Sequence, residues 1–121
     1  MISEHKCKTV SLCFKAPATK LLFDEASSIL GYDLLKLCLN GPKELLDRTE
    51  HCQVAIVVSS LTAVEALWEI DENAVKNCVA TAGFSVGEIT SLIFSGALTF
   101  EDGIKLVNIR QIAMQQASDL V

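Results

Sequence analysis

The feature that most constrains this chain is the stretch CVATAGFSVGEITSLIFSGAL, residues 78–98, in which Ser85 lies between two glycines. Small and apolar residues precede it and an amphipathic run follows, so Gly83, Ser85 and Gly87 form GxSxG in the strand–turn–helix context that this motif requires. Such glycines permit a turn in which the serine adopts strained backbone angles and exposes its hydroxyl. The N–H of Val86, at the start of the following helix, would face an oxyanion formed there. The stretch predicts a serine nucleophile with a backbone oxyanion donor.

The same five residues have a simpler explanation, which the pattern leaves open. Glycine and serine are common, so a chain of this length shows GxSxG by chance about four times in a hundred. Ser85 would then be one more small residue in a tight loop. Glu88, in the first turn of the following helix, is expected to complement the helix dipole as a structural acid.

Composition excludes several classes of protein. The 121 residues suffice for one domain, and the net charge of −5 comes without any basic block, which argues against a nucleic acid partner. The longest apolar run is interrupted by serines and a glutamate, so we expect a soluble protein without membrane insertion. The five cysteines are never spaced as CxxC, which argues against a disulfide framework and a zinc site. We therefore expect no bound metal.

Hydrophobic spacings of three and four residues predict a mostly helical chain. We expect helices over 18–30, 53–70 and 86–96, two short helices beginning near Asp33 and at Pro42, and a last helix after a cap at Thr99. Residues 78–82 are interpreted as a buried strand, although a strand needs a second strand to pair with. Trp68 is expected to pack in the core. The fold class indicated is α/β, with helix predominating.

Three further residues could belong to a site with Ser85. Arg110 lies in the apolar stripe of the last helix, three residues after Val107. It is either an arginine whose stem covers the core edge or a planar fork that binds a substrate carboxylate in two parallel hydrogen bonds. Gln53 could line a site or cap a turn. His51 could be the base for Ser85, although a solvated loop histidine is the commoner case.

Several segments together resemble one known family. AGFSVGE, LDRTEHCQVA and RQIAM, in this order and spacing, are similar to motifs of the malonyl-CoA:acyl carrier protein transacylases of fatty acid synthesis, especially their animal mitochondrial form. The likeness covers about residues 18–121. It implies that Ser85 accepts the acyl group, that Arg110, followed by Met114, binds the malonyl carboxylate, and that Gln53 contacts substrate. The elbow residues implied are Gly83, Gly87 and Glu88, with Val86 N–H as oxyanion donor.

The resemblance implies a fold, an activity and partners as well. The fold would be part of the acyltransferase α/β-hydrolase-like core. The activity would be transfer of a malonyl group from malonyl-CoA to the phosphopantetheine thiol of acyl carrier protein through an acyl-serine. No cofactor is expected beyond the CoA thioester and phosphopantetheine as substrates. The location would be mitochondrial by resemblance, although residues 1–16 make a poor presequence, and otherwise cytoplasmic.

The sequence also departs from the family pattern. The family's base histidine lies further downstream than this chain reaches, and its Gly-Gln-Gly-Ser-Gln segment is not found in residues 1–16. Val54 and Phe84 stand where proline and histidine are common. We therefore expect a divergent segment over 1–17, a partial transferase domain over 18–121, an exposed apolar edge and negligible activity of the chain by itself. Two alternatives stay open: a non-catalytic fragment binding acyl carrier protein or the full-length enzyme, and a generic serine hydrolase using His51.

Overall fold

A computed structural model describes residues 17–121, which form seven helices and no β-strand. The predicted divergent segment therefore lies outside the described residues, except for its last residue. The predominance of helix is confirmed. The helices are α1 (Pro17–Leu30), α2 (Leu34–Asn40), α3 (Lys43–Asp47), α4 (Thr49–Ile70), α5 (Glu72–Lys76), α6 (Val86–Phe94) and α7 (Phe100–Asp119).

The long helix α4 is the centre of the fold. It packs against α1, α6 and α7, and its contact with α7 is the most extensive between any two described helices. A helix that is apolar on all sides must be covered on all sides, and the first half of α4 meets this condition. The core that surrounds it contains Phe23 from α1, Leu34 from α2, and Ile104 and Val107 from α7. The predicted buried helix over 53–70 is thus confirmed in its first half.

The second half of α4 emerges from the core. Leu67, Trp68 and Ile70 are all exposed, and Trp68 retains 40% of its surface. The prediction of a core tryptophan is therefore wrong. The Lys76 ammonium lies 5.8 Å from the Trp68 ring centroid, so the exposed ring makes a cation–π contact.

Residues Glu50–Ile70 are also long and apolar enough to cross a membrane, by length and composition. The serines and the glutamate, from which we expected no membrane insertion, therefore do not exclude a span by this measure, because valines, leucines and isoleucines outweigh them. Within residues 17–121 the helix packs against α1, α3, α5, α6 and α7, as the core helix of a globular fold does. The absence of membrane insertion stays a prediction.

Capping side chains predicted from the sequence mark the starts of α2 and α7. The Asp33 carboxylate accepts a hydrogen bond from Lys36 N at 3.0 Å, and the Thr99 hydroxyl accepts one from Asp102 N at 3.1 Å. Both predicted starts are confirmed. Pro42 lies one residue before α3 instead of inside its first turn, and α6 ends at Phe94, two residues earlier than predicted.

The predicted strand over 78–82 does not form. These residues form no regular secondary structure and are exposed, and Val79 keeps 99% of its surface accessible. A strand is stabilised by ladder hydrogen bonds to a neighbour, and residues 17–121 supply none. Phe84, at 93%, extends the same surface up to the serine. The expected apolar exposure is confirmed at Val79 and Phe84, but it is not the edge of a strand, because no strand forms here.

Candidate functional site

The backbone at Ser85 has the strained conformation that the motif predicts. Its φ of 57° and ψ of −117° make it the one non-glycine residue with positive φ among residues 17–121. A residue in such a region costs about 1–3 kcal/mol, which is typical of functional turns. Helix α6 begins at the next residue, Val86, whose N–H has no carbonyl one turn earlier in the helix to bond to. Ser85 itself is exposed, as a nucleophile must be.

Close packing of the backbone explains the first glycine of the motif. A Cβ added to Gly83 would lie 2.0 Å from the carbonyl oxygen of Gly87 and 2.5 Å from Glu88 N. No side chain fits there, because both obstructing atoms belong to the backbone. Gly87 differs, since a Cβ on it would meet nothing within 4 Å in the described part of the chain. The contacts therefore require glycine at 83 but not at 87, although the motif treats the two alike.

Three predicted site residues from separate parts of the sequence meet in the structure. Arg110 Nη2 donates a hydrogen bond to Ser85 Oγ at 3.0 Å, and Arg110 Nη1 donates to Gln53 Oε1. Gln53, at 7% exposure, also places its Nε2 3.2 Å from Met114 Sδ. The amide of Gln53 is thus held at both ends by α7. A serine from the start of α6, a glutamine from α4 and an arginine from α7 thus form one cluster.

Arg110 lies at the edge of the buried face of α7 and not at its centre. The fully covered positions on this helix are Ile104, Val107 and Gln111, whereas Leu106 and Met114, the other apolar neighbours of Arg110, each retain 45% of their surface. The arginine stem therefore crosses the rim of the core while its guanidinium lies at the elbow.

The Arg110 guanidinium has no anionic partner in the part of the chain that the structure describes. Its hydrogen-bond acceptors, Ser85 and Gln53, are both neutral. The ion pairs of lysine and arginine within residues 17–121 are those of Arg48, Lys76 and Lys105. The positive charge of Arg110 is therefore available to an anion, and a planar guanidinium matches a carboxylate best.

His51 is not brought to Ser85. Its Nδ1 lies 3.2 Å from the Tyr32 hydroxyl, the two rings meet edge to face at 5.2 Å, and its Nε2 lies 3.6 Å from a Glu50 oxygen. The side-chain partner of Ser85 is the Arg110 guanidinium, which cannot take up a proton. The geometry therefore gives His51 no part in activating the serine.

The environment of Tyr32 predicts a pH dependence. Burial, together with the nearby Cys38 and Glu50 charges, raises the pKa of Tyr32 from 10.0 to about 12, against a smaller opposite effect of a hydrogen bond with Gln111. Because the pKa is higher in the folded state, the neutral Tyr32 hydroxyl contributes to the free energy of unfolding. This contribution is fully present below pH 10 and is lost as the pH rises toward 12. Tyr32 is the sole tyrosine, so tyrosinate absorbance reports it directly. Titration of the folded protein near pH 10, as in urea, would contradict this prediction.

Gln111 is a site-supporting residue that the sequence analysis missed. It is completely buried, its Oε1 accepts the backbone N–H of Val54 at 3.2 Å, and its Nε2 donates to Asn108 Oδ1 at 3.0 Å. Consecutive residues of α7, Arg110 and Gln111, thus bond to consecutive residues of α4. The available signal was a polar residue four positions after Val107 in the same apolar stripe.

Replacing Gln111 tests this second link between the two helices. Gln111→Leu keeps most of the volume but removes the acceptor for Val54 N–H and the donor to Asn108, so we expect about 1–3 kcal/mol less stability in urea unfolding. Gln116→Leu makes the same chemical change at an exposed position of α7 and should stay within about 0.5 kcal/mol of the wild type. Equal losses in the two variants would mean that the buried amide is not a structural link.

Metal chemistry has no candidate ligand set in residues 17–121. No group of three or more His, Cys, Asp or Glu side chains there could hold an ion. No disulfide links Cys38, Cys52 and Cys78. The expected lack of a metal or bound cofactor stays a prediction.

Comparison with known sequences identifies relatives of one kind. No protein-family model matches the chain. The mouse protein named malonyl-CoA-acyl carrier protein transacylase, mitochondrial, is 52% identical over 105 residues, which are 87% of this chain and 28% of that protein. Its human counterpart is 53% identical, over 87% of this chain and 27% of its own length. A Salmonella typhimurium transacylase is 39% identical over 84% of this chain and 32% of its own length. The chain thus spans less than a third of each.

Solved structures agree with these relatives. An acyl-carrier-protein S-malonyltransferase from Burkholderia pseudomallei superposes with a TM-score of 0.77 at 33% identity, over 87% of this chain and 34% of its own. A Vibrio cholerae enzyme of the same name gives 0.76 at 36% identity, over 90% and 35%. A malonyl-transacylase in complex with a type II polyketide synthase acyl-carrier protein gives 0.69 at 33% identity, over 88% and 33%. The described helices therefore have the fold of one segment of these enzymes.

Proposed function

Because this chain is homologous to a segment of the malonyl-CoA–acyl carrier protein transacylases, we propose that it carries the nucleophile and the carboxylate clamp of malonyl transfer. Malonyl-CoA would be the donor and acyl carrier protein the acceptor. Both partners are named for the relatives, and one of the solved structures contains a carrier protein. The proposal rests on two features of the site, the strained turn at Ser85 and the guanidinium of Arg110.

The proposed reaction assigns a step to each residue. Arg110 binds the malonyl carboxylate, which places the thioester carbonyl beside Ser85. Ser85 Oγ attacks the carbonyl carbon, and the Val86 N–H stabilises the oxyanion. The carbon–sulfur bond breaks, CoA leaves as the thiol after taking up the serine proton, and malonyl-Ser85 remains. The phosphopantetheine thiol then attacks the ester, which restores the serine hydroxyl and forms the new thioester.

One observation carries this proposal beyond the motif: the nucleophile and an unneutralised guanidinium touch, at 3.0 Å. An enzyme for uncharged esters needs no cation beside its serine, because the guanidinium would remain unpaired next to an apolar acyl group. The same contact disfavours the generic serine hydrolase, as does the position of His51 beside Tyr32.

Proton transfer is the step that residues 17–121 do not provide. The serine's side-chain partner is a permanent cation, and His51 is occupied elsewhere. A serine without its base loses on the order of 10⁴–10⁶ in rate. We propose that this chain by itself binds malonyl-CoA but transfers its acyl group at a negligible rate, with the base supplied from outside these residues.

The wider architecture and location are proposed on the same basis. Residues 18–121 would be a partial transferase domain, and residues 78–82, which precede the elbow and are exposed, would pair into the sheet of an α/β-hydrolase-like core. The mouse and human relatives are named mitochondrial, which supports that location for this chain. Exposed apolar residues at Val79 and Phe84 also favour the second candidate function, a non-catalytic fragment that binds acyl carrier protein or the full-length enzyme.

Binding and acyl transfer can be measured separately. We expect malonyl-CoA to bind at least tenfold more tightly than acetyl-CoA in isothermal titration, because only the malonyl group pairs with Arg110. Intact-mass spectrometry should show no rapid malonylation of Ser85.

Equal affinity for the two thioesters would overturn the carboxylate clamp. Fast labelling that Ser85→Ala abolishes would overturn the proposed inactivity of the chain, while capture of acyl carrier protein without transfer would support the second candidate.

A further inference from the structure

The nucleophile and the clamp are hydrogen-bonded to each other in this structure, and this contact has a functional consequence. The Ser85 hydroxyl oxygen accepts a hydrogen bond from Arg110 Nη2, the group expected to bind substrate. We propose that Ser85 acts as an internal ligand of Arg110, which the substrate carboxylate must displace before the serine is free to attack. This inference rests on the proposed function and adds a specificity role for the Ser85–Arg110 contact.

The geometry of the guanidinium makes the two ligands competitors. A carboxylate in a two-bond arrangement uses one of the two edges of the fork, and Nη2 belongs to both edges. Nη1 is already engaged by Gln53. Nη2 has two N–H groups, one on each edge, and one of them points to Ser85 Oγ. A carboxylate that binds along that edge needs the N–H now bonded to the serine, so on that edge the two ligands exclude each other.

The exchange favours a carboxylate and disfavours an uncharged acyl group. A charge-assisted pair of hydrogen bonds is stronger than a single bond to a neutral hydroxyl, so a carboxylate can replace Ser85 Oγ on Arg110. An acetyl group has no atom that can do so. The backbone at Ser85, fixed at a φ of 57°, holds the hydroxyl where the exchange takes place.

Selectivity for malonyl over neutral acyl groups then arises at two steps, substrate binding and release of the serine. The clamp binds malonyl groups better than neutral ones, and the serine becomes available only when the clamp is filled. With a neutral thioester, a lone pair of Ser85 stays engaged by the guanidinium, which weakens the oxygen as a nucleophile. The contact thus couples recognition of the carboxylate to release of the attacking group.

Removing the hydroxyl should strengthen binding, which is the opposite of what loss of a substrate contact would do. We expect Ser85→Ala to bind malonate roughly threefold to tenfold more tightly than the wild type in isothermal titration, the range that one net hydrogen bond supplies. Ser85→Gly should show the same gain, and glycine accepts the positive φ without strain. Ser95→Ala removes a hydroxyl whose partners within residues 17–121 are Leu92 O and Ala97 N, and it should leave the affinity unchanged.

The outcomes separate this inference from the proposed function. Unchanged or weaker malonate binding in both Ser85 variants, while Arg110→Met still abolishes it, would overturn the internal ligand and leave the clamp in place. Failure of every variant and of the wild type to bind malonate would overturn the clamp and the inference with it. Tighter binding in Ser95→Ala as well would also overturn it, because the gain would not depend on the contact with Arg110.

Discussion

Arg110→Met should lower the affinity for malonyl-CoA on the order of 100-fold, because two charge-assisted hydrogen bonds to the carboxylate are lost. Methionine retains much of the apolar stem that crosses the rim of the core, so the helix should remain packed. Binding of acetyl-CoA, which has no carboxylate, should change little. Isothermal titration of both thioesters with wild-type and variant protein measures the difference, and circular dichroism verifies that the helices persist.

Two further variants distinguish geometry from net charge. Arg110→Lys retains the positive charge but replaces the planar fork by a point charge, so its affinity should lie between those of the wild type and Arg110→Met. Lys105→Ala removes one positive charge from the exposed side of the same helix, where Lys105 pairs with Glu101. It should bind malonyl-CoA as the wild type does. A comparable loss in Lys105→Ala would assign the effect to the overall charge of α7.

The members of the site could be predicted from the sequence, but their contacts could not. The GxSxG pattern predicts Ser85, and a cation in an apolar stripe singles out Arg110. Gln53 lies 57 residues before Arg110, and no periodicity within one helix indicates that the two meet. That encounter depends on how α4 and α7 pack, which is a property of both apolar faces together.

Gln111 and Trp68 show why residue type misleads in opposite directions. A glutamine suggests solvent, yet Gln111 is buried because the Val54 N–H and Asn108 satisfy its amide. A tryptophan suggests a core, yet Trp68 lies in the last turns of α4, which emerge from the core, and it keeps 40% of its surface exposed. The burial of a side chain depends on which elements pack around its position. Residue type correlates with burial only on average.

Helix limits were more predictable than the strand because their signals are local. The Asp33 and Thr99 caps act within one turn, so a few residues suffice to recognise them. Residues 78–82 carry the composition of a buried strand, but pairing requires a neighbour that may be any distance away in sequence. No such neighbour exists in residues 17–121, and the segment is left exposed.

Gly83→Ala should distort the turn at Ser85 more than alanine at Gly87, the other glycine of the motif. The new Cβ would lie 2.0 Å from Gly87 O and 2.1 Å from Gly87 C, and neither backbone atom can move without displacing the start of α6. We expect a loss of about 3 kcal/mol or more in urea unfolding, or a local opening of the turn that separates Ser85 from Arg110. Chemical shifts of the amides from 83 to 88 detect the second case even where global stability falls less.

Gly87→Ala is the matched control, because the two residues belong to the same motif and receive the same methyl group. Gly87 lies in the first turn of α6, its φ is not in the left-handed region, and nothing within 4 Å obstructs a Cβ. Alanine favours the helix by up to about 1 kcal/mol over glycine, so this variant should be as stable as the wild type or more so. Equal destabilisation by the two substitutions would show that the motif needs both glycines for backbone freedom, and that the close approach of Gly83 to Gly87 does not by itself explain the elbow.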